Sequence, residues 1–267
     1  MKVPMNVQKL SVSLLWLLGL WGVVGVTSVK AQVGISPLVI ETQVERGQAQ
    51  GIINVRNTST QPFRARVYAE PFTYTAEKGF EVLPAETPSN LVPYLQFSPR
   101  ELEVPPGVER RIRFIVLLPP SLADREYRAI LFTEQLTEQP AGGATSQAAI
   151  TARIGTAVFV RKGDLTPPAL EAIAVRWNGE QNQPQIQIVN RGDESARPSA
   201  TWRLSRQGQE VTSSTIPLSI VVEQGERWLP LQLPGDVVLT PGVYQVSGDV
   251  LLEDLIVDSF NLELTIP

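Results

Sequence analysis

The chain has 267 residues, with 23 Lys and Arg against 27 Asp and Glu, no Cys and no His. The missing histidine removes Ser-His-Asp and Cys-His machinery, His-ligated zinc and the commonest general base near neutral pH, so the sequence does not read as an enzyme and calls for no metal or other cofactor. A net charge of −4 argues against nucleic acid as a partner, and without cysteine no disulfide staples the fold.

Residues 1–31 have a secretory pattern. Lys2 and Lys9 precede an apolar run from Leu10 to Val26, and Val29-Lys30-Ala31 places small or β-branched residues before a cut at Gln32. A cleavable signal peptide is expected, with a retained membrane helix as the alternative. Its removal takes Lys2, Lys9 and Lys30 and no acid, leaving a net charge of −7.

Val33 to Glu41 is the first expected strand, and Pro37 within it marks an edge or a switch between sheets, because proline has no N–H to give a ladder. Glu45-Arg46-Gly47 is a turn, Gly51 to Arg56 a strand, and Asn57-Thr58-Ser59-Thr60 a turn cluster. Phe63 to Glu70 alternates Phe63, Ala65, Val67 and Ala69 with Arg64, Arg66, Tyr68 and Glu70, the pattern of a half-buried strand. Leu95 to Val104 gives short extended pieces before the turn Pro105-Pro106-Gly107, and Arg110 to Leu118 follows. Arg125 to Leu136 fits helix or strand, and its β-branched and aromatic content favours strand.

Ala148 to Arg161 alternates over fourteen residues without proline. Ala148, Ile150, Ala152, Ile154, Thr156, Val158 and Val160 share one face; Arg153, Gly155, Ala157, Phe159 and Arg161 lie on the other. As one strand it spans about 45 Å at about 3.3 Å per residue. Residues 139–146 before it read as a flexible loop, and Gly163-Asp164 with Pro167-Pro168 after it as a hinge. A strand of that length with a loose end can offer its edge to another chain; equally, it can be a long core strand that binds nothing.

Leu170 to Trp177, Pro184 to Asn190, Ala200 to Leu204, Thr215 to Val222, Trp228 to Leu233, Val243 to Leu252 and Ile256 to Ile266 are the strands expected in the second half. About seven strands in roughly 100 residues is the count of an immunoglobulin-like sandwich. Ile53 to Asn57 and Ile186 to Asn190 echo one another, each a strand ending in Asn before a polar turn. Arg191-Gly192-Asp193 is the tripeptide of integrin recognition, but Gly-Asp is ordinary turn chemistry. Asn57-Thr58-Ser59 matches a glycosylation acceptor, with a turn cap as the simpler reading. Arg110, Arg111 and Arg113 alternate with Ile112 and Phe114 as the solvated face of a strand. No Asp-x-Asp-x-Asp-Gly calcium loop occurs.

Asn57 after a strand, Pro105-Pro106-Gly107 before Arg113, Asp124-Arg125-Glu126 leading into Ala129-Ile130-Leu131-Phe132, and the long strand ending Val158-Phe159-Val160-Arg161 occur in one order. In that order residues 33–165 resemble the periplasmic pilus-assembly chaperones of the PapD type. The resemblance implies an all-β chain of two immunoglobulin-like β-sandwich domains in an L-shaped arrangement: residues 1–31 the signal peptide, 32–165 the PapD-like domain and 166–267 the second sandwich. It implies a periplasmic chaperone or assembly factor in fimbrium biogenesis. Such a factor binds a pilin-like or surface subunit by strand addition along 148–161, and an outer-membrane assembly platform would be a further partner. Ala148, Ile150 and Ala152 become the donated side chains, with Arg153 beside them, and Glu126, Arg161 and Asp249 the interdomain ion pair. The family holds its client's terminal carboxylate with two cleft cations. Here no Lys or Arg stands between Gln32 and Glu45, and the long-strand position is Ala157, which leaves Arg153 as the substitute. A structural or adhesive envelope protein that never releases a client is the alternative.

Overall fold

The computed structural model of the protein describes residues 33–136, 152–235 and 237–267. The chain enters as β1 (Val33–Ser36), leaves that sheet at Pro37, and continues as β2 (Val39–Gln43) in the facing one. The switch falls where proline interrupts the ladder. Then come β3 (Gln48–Asn57), β4 (Phe63–Glu70), a hairpin of β5 (Phe72–Thr75) and β6 (Gly79–Val82), β7 (Leu95–Ser98), β8 (Glu101–Val104), β9 (Glu109–Leu117), β10 (Arg125–Gln135) and β11 (Arg153–Lys162). One sheet runs β1-β3-β9-β7 and the other β2-β11-β10-β4-β8. Between them Ile53, Val55, Val104, Ile112, Val116, Leu131, Val158 and Val160 form a dry core. In β4, Phe63, Ala65 and Val67 point into it while Arg64 and Arg66 face solvent, so polarity alternation sets the strand and its orientation together.

The second half folds as β12 (Leu170–Asn178), β13 (Gln183–Asn190), β14 (Ser199–Arg206), β15 (Gln209–Ile216), β16 (Glu226–Pro230), β17 (Gly242–Leu252) and β18 (Leu255–Ile266). Sheets β12-β13-β16 and β15-β14-β17-β18 enclose Ile186, Ile188, Trp202, Leu204, Leu229, Val246 and Leu264. The two cores share no residue. The protein is all-β, built of two immunoglobulin-like sandwiches, as the sequence pattern predicts.

Two elements differ from expectation. The strand expected over Thr215 to Val222 lies earlier, as β15, and ends before Pro217. Only Thr212 and Ile216 of β15 are buried, so this polar edge strand gives little hydrophobic period to read. Ile220 and Val222 are instead buried in a separate apolar cluster. The β5–β6 hairpin is the second difference, since neither strand is expected from the sequence. The long strand is observed from Arg153 to Lys162; Ala148 and Ile150 lie outside the described residues.

The echoed asparagines are matching buried caps. Asn57 Nδ2 donates to the carbonyls of Gln61 at 2.7 Å and Val104 at 2.8 Å, and its Oδ1 accepts from Ser59 N at 2.9 Å. Asn190 Nδ2 donates to Glu194 O at 2.8 Å, and its Oδ1 accepts from Ala169 N at 3.1 Å and Gly192 N at 3.0 Å. The Arg-Gly-Asp tripeptide is part of that second turn, where a side chain on Gly192 would meet Pro167 O at 2.1 Å and Asp193 N donates to Thr166 O. With Nδ2 committed and no exposure, Asn57 is a structural cap rather than a glycan acceptor. Asn57→Ala removes the Nδ2 donor from Val104 O and from Gln61 O, which keeps Ser59 Oγ, and should cost about 1–3 kcal/mol in urea denaturation. Asn57→Asp, which restores the acceptor but not the donor, should recover little of that loss.

Candidate functional site

β10 and β11 form the spine of the candidate site. They pair antiparallel from Arg125↔Lys162 to Glu134↔Arg153. Glu126 to Thr133 are all buried, because one face of β10 packs on the first core and the other on a junction between the sandwiches. This two-sided burial removes the polar alternation that would separate strand from helix in the sequence.

The junction is apolar at its centre. Phe72, Ile130, Phe132, Ala157 and Phe159 of the first sandwich are buried with Ile220 and Val222 of the second. Phe72 from the β5–β6 hairpin meets Phe159 edge-on with ring centroids 5.6 Å apart and stacks on Phe80 at 5.8 Å. The hairpin tip reaches further: Glu77 receives Arg176 of β12 at 2.8 and 3.0 Å, and Ala76 O accepts from Trp228 N of β16 at 3.3 Å.

Beside these rings lies a polar cluster. Arg128, at 7% side-chain exposure, donates from Nε to Phe72 O at 2.9 Å and from Nη1 to Glu223, and lies 3.9 Å from Glu126 Oε1. Glu126 accepts from both the backbone N of Ser195, at 3.0 Å, and its hydroxyl. Burial pushes the Glu126 carboxyl up to about 7; the Ser195 hydroxyl pulls the other way, and the Glu223 carboxylate adds to the rise.

Arg161 pairs with Glu194 rather than with Glu126, its register partner across the ladder. Asp249 is elsewhere, on β17, where it accepts from Ser259 Oγ at 2.7 Å. The expected trio of Glu126, Arg161 and Asp249 is thus not one cluster, because Ser195, Glu194 and Glu223, from turns of the second sandwich, take the places beside Glu126 and Arg161, while Asp249 lies on β17 with Ser259. Arg128, Glu194, Ser195 and Glu223 are the residues sequence reading missed. A signal existed for Arg128: a lone cation in the run Tyr127 to Phe132 must find partners if that run is buried.

An interdomain cleft of about 500 Å³ opens beside this cluster. Its cations are Arg161 and Arg197, the latter 2.9 Å from Glu41 of β2, and Glu253 and Asp254 add two further carboxylates. Arg153 is not in it. It stands eight residues from Arg161, about 26 Å along the strand, with its guanidinium 4.2 Å over the Phe132 ring and donating to Tyr68 Oη at 3.3 Å. Tyr68 in turn donates to Glu134 at 2.6 Å.

The edge of β11 has two halves. Over Ala157–Arg161 it is covered by β2 in parallel register, and Ala157 N donates to Leu38 O at 2.9 Å. Over Arg153–Thr156 β11 has a ladder partner on one side alone, β10, among the described residues. Ala152, exposed, closes that ladder by accepting from Gln135 N at 2.9 Å.

No family model matches the chain, and neither does any curated protein. Solved structures similar to it include a chain from a chaperone–tip adhesin complex of CFA/I fimbriae biogenesis, with 13% identity, 89% of this chain and 100% of that one covered, and a TM-score of 0.47. A chain of the CsuC–CsuE chaperone–tip adhesion subunit pre-assembly complex of Acinetobacter baumannii gives 14%, 88% and 99%, and 0.48. The class 5 fimbriae chaperone CfaA gives 12%, 88% and 99%, and 0.46.

The burial of the two cations sets their relative weight. Arg128→Ala leaves Glu223 without its cation at a largely buried interface and should cost about 3–5 kcal/mol at pH 6. Arg161→Ala removes a partly exposed pair worth about 1 kcal/mol or less. Urea titrations of the two variants should therefore differ severalfold in lost stability, and equal losses would contradict the assignment of Arg128 as the central cation.

Proposed function

We propose that the protein is a periplasmic chaperone or assembly factor that holds a pilin-like or surface subunit by β-strand addition, with residues 32–165 as the client-binding domain. The observation that carries this reading is the edge of β11 over Arg153–Thr156, unpaired on the side away from β10 among the described residues, at the end remote from a junction that fixes the rest of the strand. An added strand gains main-chain hydrogen bonds along such an edge, and alternate side chains fill pockets in the partner. On this reading Ala148, Ile150 and Ala152 are the donated side chains. Their alternation continues the face of Ile154, Thr156, Val158 and Val160, which turns toward the first core. Ile150 is the dominant anchor, worth about 1.5–3 kcal/mol if fully buried, and the two alanines call for a shallow groove.

Arg153 is a lip of the site rather than an anchor for a terminal carboxylate in the cleft, since its guanidinium is already engaged by Phe132 and Tyr68. Arg161 and Arg197 stand in the cleft, but each already holds a carboxylate. A client's terminal carboxylate would have to displace one of them.

Affinity purification of the full chain from an envelope extract tests the reading. A chaperone yields a soluble 1:1 complex, whereas a structural or adhesive envelope protein remains in a polymeric or insoluble fraction. Ile150→Asp should lower client affinity more than about a hundredfold, since an unpaired buried charge costs several kcal/mol, with an unchanged circular dichroism spectrum. A folded Ile150→Asp protein that retains its client in full would reject strand donation.

A further inference from the structure

The cluster at the junction holds more carboxylate than its cation and donors can serve. Glu126 comes from β10 and is 2% exposed at its side chain; Glu223 comes from the segment before β16 and is 20% exposed. Both face one guanidinium, Arg128, and one hydroxyl, Ser195 Oγ, which is bonded to Glu126 Oε1 and lies 3.3 Å from Glu223 Oε2. The other cations of the junction are engaged elsewhere: Arg161, the register partner of Glu126 on β11, holds Glu194, Arg197 holds Glu41 of β2, and Arg227 of β16 donates to Ile220 O and lies over the Tyr74 ring. Two carboxylates therefore share a single positive charge where water is largely excluded.

Counting hydrogens decides which protonation state fits. A serine hydroxyl has one hydrogen to donate and two lone pairs. With both carboxylates ionised, Ser195 can donate to only one of them, and the cluster keeps a net charge of −1. With a proton on Glu126, that carboxyl donates to Ser195 Oγ and the serine hydrogen turns to Glu223 Oε2. Ser195 Oγ still accepts from Glu223 N at 3.3 Å. Glu223 then faces Arg128 as a one-to-one pair, so every donor has an acceptor and the charge is zero.

We propose that Glu126, Ser195, Glu223 and Arg128 form a pH-operated clasp, which locks the two sandwiches together when Glu126 takes up a proton and loosens when it releases it. The raised Glu126 carboxyl agrees in sign. Its value moves from 4.5 to about 7 in the docked junction. A group raised on docking contributes stability that is complete below about 4.5 and is lost as pH rises through about 7. The clasp is independent of the strand-addition reading, because none of its members lies on the open edge of β11.

The test is an interdomain distance measurement on the full chain. The sequence has no cysteine, so spin labels on Gln96→Cys and Gln209→Cys, exposed positions on the two sandwiches, report one distance. The expected result is a single narrow distribution at pH 5 that broadens with a midpoint near pH 7. Glu126→Gln, whose amide donates to Ser195 as the protonated carboxyl does, should stay narrow from pH 5 to pH 8. Glu223→Gln removes the competing charge and should move the midpoint to lower pH. Identical wild-type distributions at pH 5 and pH 8 would overturn the proposal, as would a Glu126→Gln protein that keeps the wild-type response. Should Glu126→Gln fail to fold, a midpoint unmoved by Glu223→Gln overturns it equally.

Discussion

A guanidinium buried between two β-sandwiches is the constraint on which the arrangement of this protein depends. Arg128 sits in the middle of β10, where a neighbouring residue on either side points into a dry core, and it cannot reach bulk water. It is tolerated because the β5–β6 hairpin gives it the carbonyl of Phe72 and the second sandwich gives it Glu223. Removing either element would take away one of the partners that satisfy this buried charge, which is far more costly than losing a surface ion pair. The cation therefore ties three separate parts of the chain to one position.

The aromatic cluster supplies the attraction and the polar cluster the register. Phe72, Phe80, Phe132 and Phe159, all of the first sandwich, hold one another by edge-on and stacked contacts that each add about 0.5–1.5 kcal/mol beyond burial, and Phe72, Phe132 and Phe159 are buried against Ile220 and Val222 of the second. Such a surface by itself is slippery, since hydrophobic burial has no direction. The bonds from Ser195 to Glu126 and from Arg176 to Glu77 have direction and fix how the surfaces meet.

The same junction explains why β11 is two different strands along its length. From Thr156 to Val160 it is buried on both faces and paired on both edges, except at Thr156, which lies beyond the register with β2. Toward Arg153 it loses the cover of β2 and then the cover of its faces. A strand anchored firmly at one end can present the other as a pre-ordered template, with less entropy to lose when a partner strand pairs with it. The cleft at the anchored end is rich in carboxylates, with both of its arginines already engaged.

Much of the fold was legible in the amino-acid sequence. The alternation in Phe63 to Glu70, the turn at Glu45-Arg46-Gly47, the sheet switch at Pro37 and the asparagine-capped turns after Asn57 and Asn190 are local physics, written within a few residues. What the sequence could not give is the pairing across the junction. Arg128 and Glu223 are 95 residues apart, and nothing local distinguishes Glu223 or Ser195 from other polar turn residues. Asp249 failed as a partner for the same reason: only tertiary packing decides which turns of the second sandwich face β10. The β5–β6 hairpin escaped notice because its apolar residues serve the junction and not the core of their own sandwich. Short-range pattern determines strands, turns and caps, since those forces act between chain neighbours; long-range packing decides which buried charges meet, since that depends on surfaces that exist only once both sandwiches have formed.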